Sequence, residues 1–361
     1  MMREHFIRIG IIIIWIITFH QLNAQKKYHD ASDFLLIGKI SNNTETMYER
    51  LPKTYKEITR NEIWLLGKHT AGLAVIFNTN STSISIKWEL LNDAIMDHMP
   101  FTGIKGVDLY AWEKEKWQFV NVGRPYEKMN DVEIINNMSK KDREYLLYLP
   151  LYDGIKNLEI GIDKDAAISA PINSHLSMNG PIIAYGTSIT QGGCASRPGM
   201  AYTNILSRRL NKEVINLGFS GNGRLDYEIA ELISERTDAS LIILDFLPNV
   251  SPKQILEKTE QFISIIRTNG LDTPILLIEN VKFPSSVLDL IHDDNIKEKN
   301  RNLRSVYISL IKKGEKNIHY LSASNLIGDD GEATVDGIHF TDLGFFRFAE
   351  AVYPIVRDII W

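Results

Sequence analysis

The chain has 361 residues, of which 44% are hydrophobic and 24% are charged. This is an ordinary globular composition, and at roughly 150 residues per domain the length predicts two domains rather than one. Lysine and arginine number 40 against 45 aspartate and glutamate residues, which gives a formal net charge of −5. Because the chain has no basic excess to neutralise phosphates, we expect no nucleic-acid partner.

The sequence lacks the usual metal and cofactor motifs. Its one cysteine, Cys194, can form neither an internal disulfide nor a CxxC pair, and we expect a packed small residue there. No HExxH, EF-hand or GxxxxGK(S/T) pattern occurs, so we predict no metal and no cofactor. The histidines without spaced partners, which we predict to be surface or packing residues, are His98, His175, His292 and His319.

The first 24 residues have the order of a secretory signal. Arg3 and Arg8 precede an apolar stretch over residues 9–19, and polar residues follow up to Ala24. We expect cleavage near Ala24 and export to a bacterial periplasm or the cell exterior. A membrane anchor is the alternative. The apolar stretch is shorter than the about eighteen residues that span a bilayer, so we expect no stable membrane insertion after cleavage.

Apolar and polar residues alternate over much of the chain from residue 25 to residue 172. The clearest alternation has apolar side chains at Ile84, Ile86, Trp88 and Leu90. A period of two is typical of a strand with one buried face. Together with further short strand patterns, it predicts an all-β sandwich or jelly-roll domain over residues 25–172.

Two pairs of short apolar runs in this domain flank turn signals. Residues 107–112 and 117–122 lie on either side of four charged residues, which predicts a hairpin. Residues 145–149 and 158–162 lie on either side of an Asp-Gly pair, which predicts a second turn. Residues 163–181 contain several proline, serine and asparagine residues and predict a linker.

After Pro181 the pattern changes to short apolar runs that alternate with longer amphipathic ones. This order predicts a parallel sheet flanked by helices over residues 173–361. The predicted strands are residues 182–185, 214–217, 241–246, 275–278 and 318–321. Ligands of such sheets bind beyond the carboxyl ends of the strands, so polar residues at those ends are candidates for a site.

The clearest predicted helix begins after Ser251. We assign Ser251 as its N-cap, with Pro252 at the first position and Gln254 closing a capping box. Its predicted buried stripe consists of Ile255, Leu256, Thr259, Phe262, Ile263 and Ile266. A last helix is predicted from about Thr341 towards Ile360.

Polar residues with complementary chemistry follow several of the predicted strands. Ser188, in a glycine-containing turn after the first of them, is the candidate nucleophile. A serine hydroxyl needs a base to take its proton and a group that orients the base. Asp336 and His339 stand three residues apart before the last helix and offer both. Gly221 and Asn249, after the second and third strands, are candidate donors to an oxyanion.

Four sequence blocks in this order resemble the SGNH hydrolases, the GDSL-like lipase and acylhydrolase superfamily. The blocks are Gly186-Thr187-Ser188-Ile189-Thr190, Asn216-Leu217-Gly218-Phe219-Ser220-Gly221, Asp245-Phe246-Leu247-Pro248-Asn249 and Asp336-Gly337-Ile338-His339. The resemblance implies a flavodoxin-like three-layer α/β/α fold for the second domain. It implies that Ser188 is the nucleophile and that Asp336 and His339 complete a triad. It also implies an oxyanion hole formed by the Ser188 backbone amide with Gly221 and Asn249.

A fifth motif lies in the β domain. Gly106-Val107-Asp108-Leu109-Tyr110 resembles the motif of the GxDLY domain that precedes such catalytic domains. The combination resembles a branch of exported bacterial esterases related to carbohydrate esterases.

Two blocks depart from the usual pattern of the superfamily. Thr187 stands where an aspartate usually precedes the nucleophile. Pro248 and Val250 flank Asn249 where the usual block reads Gly-x-Asn-Asp. The missing aspartate is not a triad member, so its absence leaves the chemistry intact but weakens the inference of a lipase-like substrate. We name Thr187 and Arg197 as candidate substrate-binding residues.

The main hypothesis is a serine esterase that removes small acyl groups, chiefly acetyl, from carbohydrate. Alternatives are a lipase- or thioesterase-like acylhydrolase acting on non-sugar esters and a carbohydrate-binding protein without activity. A dinucleotide-binding oxidoreductase is a further alternative, because Gly221-Asn222-Gly223 follows a strand and Asp245 ends the next one. However, Asp226 replaces the third glycine of the GxGxxG motif. The oligomeric state is left open.

Overall fold

The computed structural model describes residues 25–269 and 272–361. The predicted signal segment, residues 1–24, lies outside the described residues. Within the described ranges, no helix combines the length and the apolar character that crossing a membrane requires.

The first half of the described chain is built from short antiparallel strands. The strands are β1 (Lys26–Asp30), β2 (Leu35–Ile37), β3 (Ala74–Thr79), β4 (Ile84–Leu90), β5 (Val107–Glu113), β6 (Lys116–Gly123), β7 (Met129–Ile135), β8 (Arg143–Tyr148), β9 (Ile155–Asp163) and β10 (Ile168–Ser169). Two short helices lie between them, α1 (Asn61–Gly67) and α2 (Phe101–Ile104). One sheet has the order β1-β9-β4-β7, and the other has the order β10-β3-β8-β5-β6, with β2 beside β3.

The core of this half lies between the two sheets. The alternating apolar side chains of β4 are all buried, namely Ile84, Ile86, Trp88 and Leu90. They pack against side chains of β3, β5 and β8 in the other sheet. Burial of an apolar side chain of this size stabilises the fold by about 1.5–3 kcal/mol. The predicted β domain is therefore confirmed.

One of the two predicted turns forms a hairpin, and the other joins different sheets. β5 and β6 pair antiparallel along their whole length, as predicted. β8 pairs with β3 and β5, whereas β9 pairs with β1 and β4. Between β8 and β9, the Asp153 carboxylate accepts hydrogen bonds from the backbone N–H groups of Asn92 (2.9 Å) and Ala94 (2.8 Å). The local turn signal is correct, but it does not determine which strands pair.

The second half is an α/β unit with a parallel sheet. Its strands are β11 (Ser177–Gly186), β12 (Lys212–Gly218), β13 (Leu241–Asp245), β14 (Ile275–Ile278) and β15 (Ile318–Leu321). Its helices are α3 (Ser188–Gln191), α4 (Tyr202–Leu210), α5 (Tyr227–Ser234), α6 (Pro252–Ile266), α7 (Leu290–Lys312) and α8 (Asp342–Ile360). The strand order β12-β11-β13-β14-β15 is that of flavodoxin-like folds. Helices α4 and α8 cover one face, and α5, α6 and most of α7 cover the other, which confirms three layers.

All five predicted strands of this sheet are present, and the largest difference is at the start of β11. This strand begins at Ser177, inside the predicted linker, and β10 pairs with β3 in the same region. The linker prediction is therefore wrong for these residues. The first residues of β11 are largely exposed and include a single apolar side chain, Met178, so they carry no apolar run that could reveal a strand.

The two predicted helices differ from the structure in one buried position. The capping box of Ser251 and Gln254 is present at the start of α6. Leu256 is 53% exposed, although it is predicted to be buried. It follows Ile255 and lies about 100° around the helix from that buried residue, outside the apolar stripe. Thr341 caps α8 by accepting a hydrogen bond from the backbone of Gly344 (3.2 Å).

Candidate active site

Ser188 is the first residue of α3, the short helix that follows β11. The N-cap of α3 is Thr187, whose hydroxyl accepts a hydrogen bond from the backbone N–H of Ile189 (3.2 Å). The Thr190 hydroxyl accepts one from the backbone N–H of Thr187 (3.3 Å), which completes a capping box. Glycine is required at Gly186, because a Cβ there would lie 2.1 Å from Thr190 Oγ1. This tight turn places Ser188 beyond the carboxyl end of β11.

Ser188, His339 and Asp336 form a continuous chain of hydrogen bonds. His339 Nε2 lies 2.9 Å from Ser188 Oγ, and His339 Nδ1 lies 2.7 Å from Asp336 Oδ2. Asp336 Oδ1 accepts hydrogen bonds from the backbone N–H groups of Ile338 (3.0 Å) and His339 (2.8 Å). Gly337 adopts a φ of 89° in this turn, a left-handed conformation that favours glycine. The fold thus brings together side chains that lie 151 residues apart in the chain.

The hydrogen bonds around Asp336 keep its carboxyl group ionised. Burial raises the pKa of Asp336, but hydrogen bonds from the His339 side chain and from the backbone of Ile338 and His339 outweigh burial and hold the pKa at about 2. A negative Asp336 at neutral pH favours the His339 tautomer with its hydrogen on Nδ1. Nε2 of that tautomer has a lone pair that can accept the proton of Ser188.

Gly221 and Asn249 come together at the loop after β12. With the amide oriented to satisfy its hydrogen bonds, Asn249 Oδ1 accepts from three successive backbone N–H groups, those of Gly221 (3.2 Å), Asn222 (2.9 Å) and Gly223 (3.2 Å). Asn249 Nδ2 then remains a donor on the other side of the amide. The loop packs against the end of β11, since a Cβ on Gly223 would lie 2.1 Å from the carbonyl oxygen of Gly186. The amides of this loop donate to the Asn249 side chain, whereas the dinucleotide alternative requires them to bind a pyrophosphate.

Two residues predicted to bind substrate, Thr187 and Arg197, make structural contacts. Thr187 is fully buried and caps α3, so it has no exposed surface for a substrate. Arg197 donates hydrogen bonds to Asp108 Oδ2 (2.7 Å) and Tyr110 Oη (2.6 Å) of the first half. Its guanidinium carbon also lies 3.9 Å from the ring centroid of Phe119. Helix capping and an ion pair with a buried carboxylate use polar groups of these side chains. A contact of either residue with substrate stays a prediction.

The Arg197 contacts explain the GxDLY motif. Asp108 of the motif is fully buried and also accepts a hydrogen bond from the backbone N–H of Gly199 (2.8 Å). A side chain at Gly199 is excluded, since its Cβ would lie 2.4 Å from Tyr110 Oη. The aspartate and tyrosine of the motif therefore join the first half to the segment that follows α3.

Arg50 of the first half holds the end of β12. Its side chain is buried and donates hydrogen bonds to the carbonyl oxygens of Asn216 (3.1 Å) and Gly218 (2.8 Å). It also donates to the carbonyl oxygens of Leu66 (2.6 Å) and His69 (2.9 Å). Burial lowers the pKa of Arg50 to about 9. Arg50 therefore positions the strand end that leads into the loop after β12.

Gln191, at the end of α3, ties the same loop to the first half. Its Oε1 accepts a hydrogen bond from the backbone N–H of Ser220 (3.0 Å). Its Nε2 donates to the Leu151 carbonyl oxygen (3.0 Å) and to His69 Nδ1 (3.1 Å). Burial, followed by the charge of Arg50, lowers the pKa of His69 to about 4, so this imidazole is a neutral acceptor. No sequence pattern marks these residues, because their partners are distant in the chain and are mostly backbone groups.

His98, predicted to be a surface or packing residue, lies beside His339. The two ring centroids are 5.4 Å apart. His98 Nδ1 lies 2.9 Å from Asp97 Oδ1. Cys194 is buried nearby; burial, followed by the charges of Asp336 and Asp97, raises the pKa of its thiol to about 12. The sequence offered only an Asp-His dipeptide as a signal for His98.

Comparisons with known proteins identify relatives of the chain. A sequence model of the GDSL-like lipase/acylhydrolase family matches residues 179–357, and one for the N-terminus of SGNH-hydrolase-type esterases matches residues 26–168. A crystal structure of a protein from Bacteroides ovatus, described as a GDSL-like lipase, has a TM-score of 0.88 and 37% sequence identity. The alignment covers 93% of this chain and 98% of that one. No curated protein sequence matches the chain.

Two structures of lower identity share the fold. The salicylyl-acyltransferase SsfX3 from a tetracycline biosynthetic pathway has a TM-score of 0.75 at 19% identity, covering 90% of this chain and 95% of that one. A family two carbohydrate esterase from Cellvibrio japonicus has a TM-score of 0.58 at 13% identity, covering 93% and 98%. The Bacteroides ovatus protein establishes the family at its higher identity over nearly the whole length. The chain therefore belongs to the GDSL-like lipase/acylhydrolase family and is an SGNH-type ester hydrolase with a GxDLY N-terminal domain.

Proposed function

We propose that this ester hydrolase is an exported serine esterase that removes small acyl groups, chiefly acetyl, from carbohydrate, with Ser188, His339 and Asp336 as its catalytic triad. One observation carries the assignment of the triad. His339 contacts the Ser188 hydroxyl through Nε2 (2.9 Å) and the Asp336 carboxylate through Nδ1 (2.7 Å). The first distance lets the base take the proton of the nucleophile, and the second lets the carboxylate orient the base.

Catalysis proceeds through a covalent acyl-enzyme. Ser188 Oγ attacks the ester carbonyl carbon while His339 Nε2 takes the hydroxyl proton, and Asp336 stabilises the imidazolium. The tetrahedral intermediate collapses when the bond to the alcohol oxygen breaks and His339 protonates that oxygen. Water then attacks the acyl-Ser188 ester, with His339 again accepting a proton. The carboxylic acid leaves, and the proton returns to Ser188 Oγ.

Three N–H donors stabilise the oxyanion of each tetrahedral intermediate. They are the backbone amides of Ser188 and Gly221 and the side-chain amide of Asn249. The bonds from the loop after β12 orient the Asn249 amide, so its Nδ2 is a preorganised donor. The Gly221 N–H donates to Asn249 Oδ1 in a long hydrogen bond of 3.2 Å. The oxyanion carries a negative charge and is a stronger acceptor, so it can take this N–H from Asn249 Oδ1.

Two observations support an exported enzyme acting on carbohydrate. The chain shares its fold with a family two carbohydrate esterase over 93% of its length. The N-terminal order of two arginines, an apolar stretch and a polar region is typical of a secretory signal. Export places an esterase where acylated polysaccharides occur.

The triad is tested by turnover of p-nitrophenyl acetate. We expect Ser188→Ala to lose kcat by about 10⁴-fold or more, and His339→Ala to lose a comparable amount because triad members act as a unit. Ser285→Ala is a matched control, since Ser285 Oγ also contacts an imidazole, that of His292, at 3.1 Å on the protein surface. This control should keep the wild-type rate. Equal rates for wild type and Ser188→Ala would overturn the triad.

The substrate class is tested by acetate release from a panel of acetylated polysaccharides, with Ser188→Ala as the blank. Non-sugar esters and acyl thioesters form the comparison panel. We expect the highest kcat/KM on an acetylated glycan. Faster turnover of the non-sugar compounds than of every glycan would replace carbohydrate with the lipase- or thioesterase-like alternative.

A further inference from the structure

Four side chains with metal-ligating atoms converge beside the proposed triad. His98, Cys194, Asp336 and His339 each present one donor atom, and these atoms all lie within 4.8 Å of one another. In a tetrahedral zinc site with bonds of about 2.0–2.3 Å, the ligand atoms lie roughly 3.3–3.8 Å apart. His98 is only half-buried and Asp336 is exposed, so side-chain rotation can close this difference.

His98 has the surroundings of a metal-binding histidine. Its Nδ1 lies 2.9 Å from Asp97 Oδ1, which leaves the Nε2 lone pair free. Histidine ligands of metals usually make such a bond from their second ring nitrogen to a carboxylate, which orients the ring and fixes its tautomer. Because the His98 and His339 ring centroids are 5.4 Å apart, the two imidazoles border one space.

Cys194 supplies a buried sulfur to the same space. The residue is 4% exposed, and its φ of 71° is a left-handed conformation that is strained for a residue with a Cβ. The carboxylates of Asp97 and Asp336 act on the sulfur electrostatically. Their negative charge favours a cation between the sulfur and the two imidazoles.

We infer that His98, Cys194, Asp336 and His339 form a binding site for a divalent transition metal, with Zn²⁺ as the best fit. Two imidazole nitrogens, one sulfur and one carboxylate oxygen are a donor set typical of zinc. Hard cations such as Mg²⁺ and Ca²⁺ prefer sites made of oxygen ligands. His98 comes from the first half and the other three ligands from the second, so the site forms only where the two halves meet.

Metal binding here inhibits the esterase, and this consequence rests on the proposed function. His339 uses Nε2 to contact Ser188 and Nδ1 to contact Asp336. Whichever ring nitrogen the metal takes, one of these two hydrogen bonds is lost. The metal-free enzyme is therefore the active form, and the metal acts as a reversible inhibitor.

Binding is tested on Ser188→Ala, which keeps all four ligands and requires no turnover. Titration with Co²⁺, a spectroscopic substitute for Zn²⁺, should give one bound equivalent with a thiolate-to-cobalt charge-transfer band, and Zn²⁺ should displace it. Adding Cys194→Ala should abolish the band. Adding His98→Ala or Asp97→Asn should weaken the affinity by about 10- to 100-fold. Adding His292→Ala, which removes a histidine of α7, is the matched control and should leave binding unchanged.

Circular dichroism establishes that each variant is folded before titration. A folded Ser188→Ala protein without the charge-transfer band would overturn the site. Equal affinity in folded proteins with and without the Cys194→Ala and His98→Ala changes would overturn it as well.

Inhibition is measured separately on the active enzyme with p-nitrophenyl acetate, each variant relative to its own metal-free rate. Zn²⁺ should inhibit the wild type, a chelator should restore activity, and Mg²⁺ at the same concentration should have no effect. The half-inhibitory Zn²⁺ concentration should rise at least about tenfold in His98→Ala and Cys194→Ala. Binding of Zn²⁺ without inhibition would overturn the inhibitory role. If turnover proves independent of Ser188, the proposed function fails while the cobalt titration still decides the metal site.

Discussion

The antiparallel half and the parallel half of the molecule serve the active site in different ways. The parallel half carries the groups proposed to react, Ser188, His339 and Asp336. The antiparallel half carries no member of the proposed triad. Its Arg50 and His69 instead contact the end of β12 and Gln191 of α3. Chemistry and positioning are thus divided between the two halves.

This division shows that the GxDLY domain is part of the active-site structure. Besides Arg50, it contributes the buried Asp108 that pairs with Arg197, and Thr102, whose hydroxyl donates to the carbonyl oxygen of Ser196 (2.5 Å). These contacts fix the segment after α3 from outside the parallel sheet. Removal of the antiparallel half would leave the reacting residues in the chain but would remove the contacts that place them.

The largest effect among the following changes is expected in the parallel half, from Asn249→Ala. The change removes a donor that acts on the oxyanion, so kcat should fall about 10²- to 10³-fold with little change in KM. Steady-state kinetics with p-nitrophenyl acetate measures the loss. Asn302→Ala, which removes an α7 amide bound to the Pro252 carbonyl oxygen (3.0 Å), is the control. A fall in kcat of less than about tenfold would contradict a role for Asn249 in the oxyanion hole.

An intermediate effect is expected in the antiparallel half, from Arg50→Met. The change removes the donor of two buried carbonyl oxygens of β12 and of the partly buried carbonyl oxygens of Leu66 and His69. The free energy of unfolding should fall by about 3–5 kcal/mol. Because the loop after β12 shifts, kcat should fall roughly 10- to 100-fold, with KM nearly unchanged. Urea unfolding and steady-state kinetics measure the two effects.

Two further variants make the Arg50 result specific. Arg301→Met, on the exposed side of α7, should change neither stability nor kcat. Arg50→Lys should not restore kcat, since one ammonium group cannot replace the fork of donors that reaches all these carbonyl oxygens. If Arg50→Met lowers stability but keeps the wild-type kcat, Arg50 contributes to folding and does not position the active site. That result would contradict the division between chemistry and positioning.

The last change, Asp245→Asn in the core of the parallel half, is expected to affect turnover least. Its expected effect is on how the free energy of unfolding depends on pH. Burial raises the pKa of Asp245 from 3.8 to about 7, although Thr190 and Tyr202 donate hydrogen bonds to it. A carboxyl group with a raised pKa contributes stability that is fully present below its unfolded pKa and is lost as the pH rises through its folded pKa. The wild type should therefore lose stability relative to Asp245→Asn between about pH 4 and pH 7.

Urea unfolding at several pH values across this window measures the Asp245 effect. Asp294→Asn, at an exposed position of α7, is the control and should follow the wild-type profile. Identical pH profiles for wild type and Asp245→Asn would show that Asp245 does not titrate in this range.

The two halves also differ in how far the sequence predicts them. The central strands of the parallel sheet, β11, β13 and β14, are covered by helices on both faces, so their apolar runs are continuous and visible in the sequence. In the antiparallel half several strands are visible in the sequence, but their partners are not. β8 and β9 are neighbours in the chain and lie in different sheets, since each pairs with strands that come earlier in the chain.

The sequence by itself predicted the groups proposed to react and the strand ends near which they lie. Ser188, Asp336 and His339 could be named because a nucleophile, its base and its carboxylate must be residues of particular types, and short local turns display them. Only the tertiary structure decided the roles of Arg197 and Arg50. Their partners lie 89 and 166 residues away, and burial rather than residue type turns such polar side chains into supports of the site.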